Sequence, residues 1–148
     1  MKNTALALAA LSLLGACSTA PADPTARNRK VIQDFARIFY QDKDVKRAFE
    51  SYVVPGYIQH NPGIADGRDA AVAALTPMFS APGAKFEVKR VVVDGDLAVI
   101  HLFGQGDPAT RGAAVADIYR LKDGKIVEHW DILQPMPEKK SANPHPMF

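Results

Sequence analysis

The sequence predicts an α+β domain: three N-terminal helices packed on a strongly curved antiparallel sheet, forming a cone around an apolar pocket. Three observations lead there. Between Val31 and Phe79 apolar residues recur at helical spacing, and from Lys85 onward the period changes to two. Asp94-Gly95 and Asp123-Gly124 are hairpin signals between the later apolar runs. Helices first and a meander afterwards is not the alternation that builds a parallel sheet.

The elements follow in order. Over residues 28–41, Val31, Ile32, Phe35, Ile38 and Phe39 form one apolar helical face. Asp44 is placed to cap a second helix carrying Val45, Ala48, Phe49 and Tyr52 on one side, and Val54-Pro55-Gly56 ends it. Tyr57-Ile58-Gln59-His60 is extended, because Asn61-Pro62-Gly63 forces a turn. Asp66 or Gly67 opens a third helix through Ala70, Val72, Ala74, Leu75, Met78 and Phe79, closed by Ala81-Pro82-Gly83. Four strands then occupy the stretches from Lys85, from Leu97 to Gly106, from Gly112 to Lys122 and from Lys125 to Gln134, and Pro135 and Pro137 stop the sheet.

The N-terminal segment reads as a targeting signal. Lys2 precedes a short apolar stretch over residues 5–14, too short to span a bilayer. Leu14-Gly15-Ala16-Cys17 resembles a bacterial lipobox, which implies cleavage before Cys17 and lipidation of its thiol; the alternative is ordinary secretion. Residues 1–16 are then a signal peptide, 17–27 a tether rich in small residues and proline, 28–137 the domain, and 138–148 a polar tail that includes an exposed His145. The expected location is the periplasmic side of the outer membrane, held by the lipid, or the soluble periplasm. Cys17 is the only cysteine, so no disulfide forms within the chain and the fold rests on its core. Basic and acidic residues nearly balance, 18 against 16, which gives no support for nucleic acid or an anionic membrane surface as a partner.

Strand register places the polar residues. With Asp123-Gly124 as a two-residue turn, Asp117 faces Trp130, Tyr119 faces Glu128 and Val115 faces Ile132, all on one side of the sheet. The opposite side carries Ile118, Arg120, Val127, His129, Asp131 and Leu133, and its apolar members suggest a sheet-to-sheet homodimer contact. If Gly106 faces Gly112, His101 lies opposite Asp117, and His101, Asp117 and Trp130 form a row across three strands. A carboxylate among apolar walls is costly unless paired, hydrogen-bonded or used, and apolar surroundings favour its protonated form. That makes Asp117 a candidate acid and base, His101 its partner, and Trp130 a flat pocket wall with one donor.

These residues resemble the SnoaL-like polyketide cyclases of the nuclear-transport-factor-2-like superfamily. The resemblance rests on Tyr57-Ile-Gln-His-Asn-Pro62, on Gly67-Arg-Asp-Ala70, and on the run from Asp117 to Asp131. It covers roughly residues 28 to 135. It implies a cone fold with a pocket and an intramolecular aldol condensation run by an aspartate, without metal or cofactor. By motif position that aspartate is Asp117 and the pocket histidine is His101, with His60 bordering the pocket. Tyr57, Tyr119, Phe35, Phe79 and Trp130 are then expected against the substrate.

Two functional classes follow. One is cofactor-free proton transfer beside a carbonyl of a small hydrophobic molecule, as in aldol or isomerase chemistry. The other is an envelope lipoprotein that holds a small hydrophobic ligand or a protein partner without turnover. The four histidines show no tight ligand spacing, so no metal is expected. Gly104-Gln-Gly106 leads into a hairpin rather than a helix and is no phosphate cradle, and the serines lie in no nucleophile elbow.

Overall fold

The computed structural model describes residues 23–139 and 141–148. The proposed signal peptide and Cys17 lie outside the described residues. The first helix, α1 (Pro24–Ala36), starts four residues before the expected position because Asp23 accepts from the Thr25 N–H and Pro24 sits in the first turn. The end of the expected tether is therefore helical. Asn28, Ile32, Phe35 and Ala36 form its buried stripe.

The helix then widens into a π turn, Arg37–Gln41, with the Asp42 N–H bonded to the Arg37 carbonyl. Three successive residues, Ile38, Phe39 and Tyr40, are buried there. The extra residue in the turn swings Tyr40 inward beside the other two. Asp44 caps α2 (Val45–Tyr52) as expected, accepting from the Arg47 N–H at 3.1 Å. Gly67, at φ +100°, opens α3 (Arg68–Ser80).

The sheet has five strands: β1 (Val53–Gln59), β2 (Lys85–Asp94), β3 (Leu97–Gln105), β4 (Ala113–Lys122) and β5 (Lys125–Pro135), in the order β1-β5-β4-β3-β2. Four of them form the antiparallel meander the sequence predicts. The fifth corrects it. Val53-Val54-Pro55-Gly56 does not merely end α2 but enters β1, which pairs parallel to β5, so the sheet is mixed. Pro55 and Gly56 are tolerated because β1 is an edge strand. The first hairpin turns at Gly95 and Asp96, one residue later than its signal, with Asp94 paired to Leu97.

Both expected registers are corrected. Lys122 pairs with Lys125 and Leu121 with Ile126, as the turn demands, but Arg120 then pairs with Glu128, and the offset persists through Asp117 opposite Asp131. Val127 is the extra residue of a bulge, and everything beyond it on β5 changes face. Tyr119 now shares a face with His129, and Trp130 lies opposite Ile118. Between β3 and β4 the slip is one residue: Ile100 lies opposite Asp117, and His101 opposite Ala116. The core lies between the concave face and the helices, around Ile32, Phe35, Phe49, Ile100, Leu102 and Ile126.

Candidate active site

The concave face and the helices enclose a cavity of about 430 Å³. One wall is a row of aromatic rings: Phe79 stacks on Phe86 at 3.9 Å and on Phe39 at 4.2 Å. Leu75 and Met78 of α3 and Leu102 and Val115 of the sheet extend it. The opposite end is polar, with Tyr40, Tyr57, Gln59, Asn61, Asp117, Tyr119, His129 and Asp131. Among the described residues that line the cavity there is no lysine or arginine. Such a pocket suits a small, largely apolar molecule with a polar group at one end.

Asp117 is the centre of a buried network, 8% exposed, and His129 beside it is 7% exposed. Tyr40 donates its hydroxyl proton to Asp117 Oδ2 in a short bond. With that proton committed, the contact between the Tyr40 and Tyr119 hydroxyls, 2.7 Å, has Tyr119 as donor. His129 Nε2 lies 3.3 Å from Asp117 Oδ1, and its Nδ1 lies 2.9 Å from Gln59 Oε1. The imidazole sits between the Tyr119 and Tyr57 rings, with centroids at 4.8 and 6.4 Å. Asn61 donates to Asp131, whose carboxylate is only partly buried.

Burial, and then the negative charge of Asp117, push the hydroxyls of Tyr40, Tyr57 and Tyr119 well above the ordinary tyrosine range. All three therefore keep their protons and act as donors. Tyr40 and Tyr119 give theirs within the network. Tyr57 accepts from the Gln59 amide at 3.3 Å, and its own proton, which meets no acceptor among the described residues, is available to a molecule in the cavity.

The structure brings together Asp117, Tyr57, Tyr119 and Phe79 of the sequence-expected residues, all lining the cavity. It separates four others. His101 points away from the cavity and takes a bond from Arg90 at 2.9 Å, because the one-residue slip puts it level with Ala116. His60 is turned outward: along β1 and the turn after it, Tyr57, Gln59 and Asn61 face the cavity, and alternation sends Ile58 and His60 the other way. Trp130 is carried to the outer face by the Val127 bulge. Phe35 is fully buried behind the cavity wall, edge-on to Tyr119 at 5.4 Å, and belongs to the core.

Sequence reasoning missed Tyr40, Gln59 and Asn61, and placed His129, Asp131 and Leu133 on the wrong face. One signal could have found the β5 residues. In the observed register Arg120 meets Glu128 across the strands at 2.9 Å, an opposite-charge pair that the straight register breaks. Nothing in the sequence pattern marks the π turn that delivers Tyr40.

On the outer face His60 stacks on Trp130 at 4.7 Å with the ring planes almost parallel, and its Nε2 meets Glu128 at 2.8 Å. His60, and then Arg120, hold the Glu128 carboxyl below its ordinary range. A lowered folded-state value means that the contribution of the carboxylate is complete above the ordinary glutamate range and lost as pH falls through the lowered value. Emission from Trp130, the only tryptophan, should therefore change in acid with a midpoint below the ordinary glutamate range. The change should be absent in Glu128→Gln, and a midpoint at or above the ordinary range would contradict it.

Asp117, His129 and Asp131 bring ligating atom types within 4.8 Å of one another. In this arrangement they are engaged as a hydrogen-bonded set, His129 with Asp117 and Asp131 with Asn61. No helix among the described residues is long and apolar enough to cross a membrane.

The cone has solved counterparts. The chain is similar to an NTF2-like protein of unknown function from Mesorhizobium loti, with 22% identity, 78% of this chain and 97% of that one covered, and a TM-score of 0.66. It is similar to a proposed SnoaL-like polyketide cyclase from Jannaschia sp. CCS1, with 19% identity, 77% and 90% covered, and a TM-score of 0.58. A proposed ketosteroid isomerase from Kribbella flavida shares 14% identity over 82% of this chain and 87% of that one, with a TM-score of 0.65. At these identities the likeness is one of fold. No curated protein matches the sequence. The family model of the SnoaL-like domain matches residues 32–129, the span that carries the π turn, the cavity wall and the Asp117–His129 network, and the chain belongs to that family.

Proposed function

We propose that the protein is a SnoaL-like enzyme that moves a proton beside the carbonyl of a small, mostly apolar molecule. Asp117 takes the proton from the carbon next to the carbonyl. The bonding electrons move onto the carbonyl oxygen, and the enolate oxygen accepts a hydrogen bond from Tyr57. The enolate carbon then either attacks a second carbonyl in the same molecule, closing a ring while the new alkoxide takes the proton back from Asp117, or Asp117 returns the proton at another carbon. Tyr40 and His129 hold the carboxylate in place. The aromatic row against Phe79 seats the apolar body of the substrate and keeps water from the enolate.

The observation that carries this reading is a buried carboxylate at the polar end of an otherwise apolar cavity, bonded by a tyrosine and a histidine while a second tyrosine beside it has an uncommitted proton. A structural carboxylate needs the first two partners but not the third.

Enolisation can be read without knowing the natural substrate. The full chain, incubated in D₂O with a panel of small apolar ketones and followed by proton NMR, should exchange the protons beside the carbonyl of at least one panel member faster than buffer does. Exchange at the buffer rate across cyclic, aromatic and long-chain ketones would count against enolisation and leave a binding protein with the same pocket.

A further inference from the structure

We propose that Gln59 is a positioning residue that locks His129 with its proton on Nδ1, so that the resting site holds one proton between His129 and Asp117. The inference deepens the proton-transfer reading above, but the tautomer it assigns is measurable without any turnover.

The argument starts from the Gln59 amide. Gln59 ends β1, lies beside His129 in the parallel ladder, and its backbone N–H is tied to Asp66 at 2.8 Å. Its side-chain Oε1 accepts from the Asn61 backbone N–H at 3.0 Å. That contact decides which way the amide points. Rotated by half a turn, the amide would set its NH₂ against the Asn61 N–H, donor to donor. The atom that meets His129 Nδ1 at 2.9 Å is therefore a carbonyl oxygen, which can only accept, and Nδ1 must carry a hydrogen.

The consequence falls on the other ring nitrogen. A neutral imidazole has one N–H, so with Nδ1 protonated Nε2 presents a lone pair, and it faces Asp117 Oδ1 at 3.3 Å. A lone pair against a carboxylate oxygen repels unless a proton lies between them. The proton between them sits on Nε2, so the pair is imidazolium with carboxylate, the form in which Asp117 can still take a proton from a substrate. Neighbours do not supply the bridging proton otherwise. Tyr40, Tyr57 and Tyr119 are the titratable groups packed on the pair from the π turn, β1 and β4; Asp131, on the same strand as His129, accepts from Asn61. The Asn61 N–H, on the turn that Pro62 and Gly63 enforce, thereby sets the protonation of His129 on the neighbouring strand.

The test is the nitrogen NMR spectrum of the full chain labelled with ¹⁵N-histidine, with each of the four histidines assigned by single substitution. The expected result is a protonated Nδ1 at His129 at neutral pH. Gln59→Leu, which removes the acceptor, should take the proton off Nδ1 and leave the one on Nε2 donating to Asp117. Gln59→Glu, which restores an acceptor, should keep it on Nδ1. An unprotonated Nδ1 in the unaltered protein overturns the assignment, and so does an Nδ1 proton that survives in folded Gln59→Leu. The first measurement decides even if a variant does not fold. In the ketone exchange assay Gln59→Leu should lower turnover about 10²-fold with little change in KM. Should Asp117→Asn leave exchange intact while the Nδ1 proton is present, the catalytic reading fails and the tautomer lock stands. The reverse pattern leaves the catalytic reading standing without the lock.

Discussion

Asp117→Asn should keep the fold and lower ketone exchange by about 10²–10⁴-fold, the range that a positioned acid or base supplies. Asparagine is nearly the same shape, and its two ends meet the two partners in place. Its carbonyl oxygen accepts from Tyr40, and its NH₂ donates to the lone pair on His129 Nε2. The thermal midpoint should therefore move by only a few degrees, whereas Asp117→Ala should lose stability. Alanine leaves the buried Tyr40 hydroxyl with Tyr119 alone and a buried imidazole nitrogen without its partner, at roughly 1–3 kcal/mol for the unpaired nitrogen. The pair of variants separates chemistry from structure: one loses turnover with its fold intact, the other loses both. Exchange that persists in folded Asp117→Asn would move the proton acceptor elsewhere in the cavity, with Asp131 the next carboxylate to replace.

Phe35→Ala should produce the largest loss of stability of any substitution considered, about 3–5 kcal/mol. Phe35 is fully buried, and its ring meets those of Phe39, Phe49, Tyr52 and Tyr119 at centroid distances between 5.2 and 6.4 Å. Helix and sheet hold it on opposite sides, so the void left by alanine cannot close by a rotamer change. Against a total of roughly 5–15 kcal/mol for a domain, this is a large fraction. Urea unfolding should show a lower midpoint with an unchanged slope. The result also distinguishes two roles for the residue. As part of the core behind the cavity wall, Phe35 sets stability; as a substrate contact it would set KM with the midpoint unmoved.

The helices were legible because their signals are local. Asp44 as a cap, Gly67 as an opening and the Asn61-Pro62-Gly63 turn each act through the backbone within a few residues, and each does so where the sequence implies. The meander was legible for the same reason, since a period of two and a tight turn are read from neighbours. The one strand not anticipated as such, β1, pairs in parallel with a partner some seventy residues away, and its own run contains proline and glycine.

The site was legible in part. Asp117, Tyr57, Tyr119 and Phe79 reach the cavity, and Asp117 does so whichever register β5 adopts, because its own strand has no bulge on that stretch. The residues around it were misassigned by parity. A single extra residue at Val127 exchanges Trp130 for His129 and Asp131, and a one-residue slip in the longer hairpin removes His101. Phe35 and Phe79 carry the same apolar signature in the sequence, yet one lies behind the wall and the other forms it.

By itself the sequence determined the class of fold, the number and order of its helices, the hairpins and the presence of an aspartate in an apolar strand. Those depend on periodicity, capping and turn chemistry, which neighbours along the chain settle. Only the tertiary structure decided which nitrogen-bearing ring stands beside that aspartate. That choice depends on bulge placement, on strand register and on a widened helical turn, each fixed by packing between segments far apart in the chain.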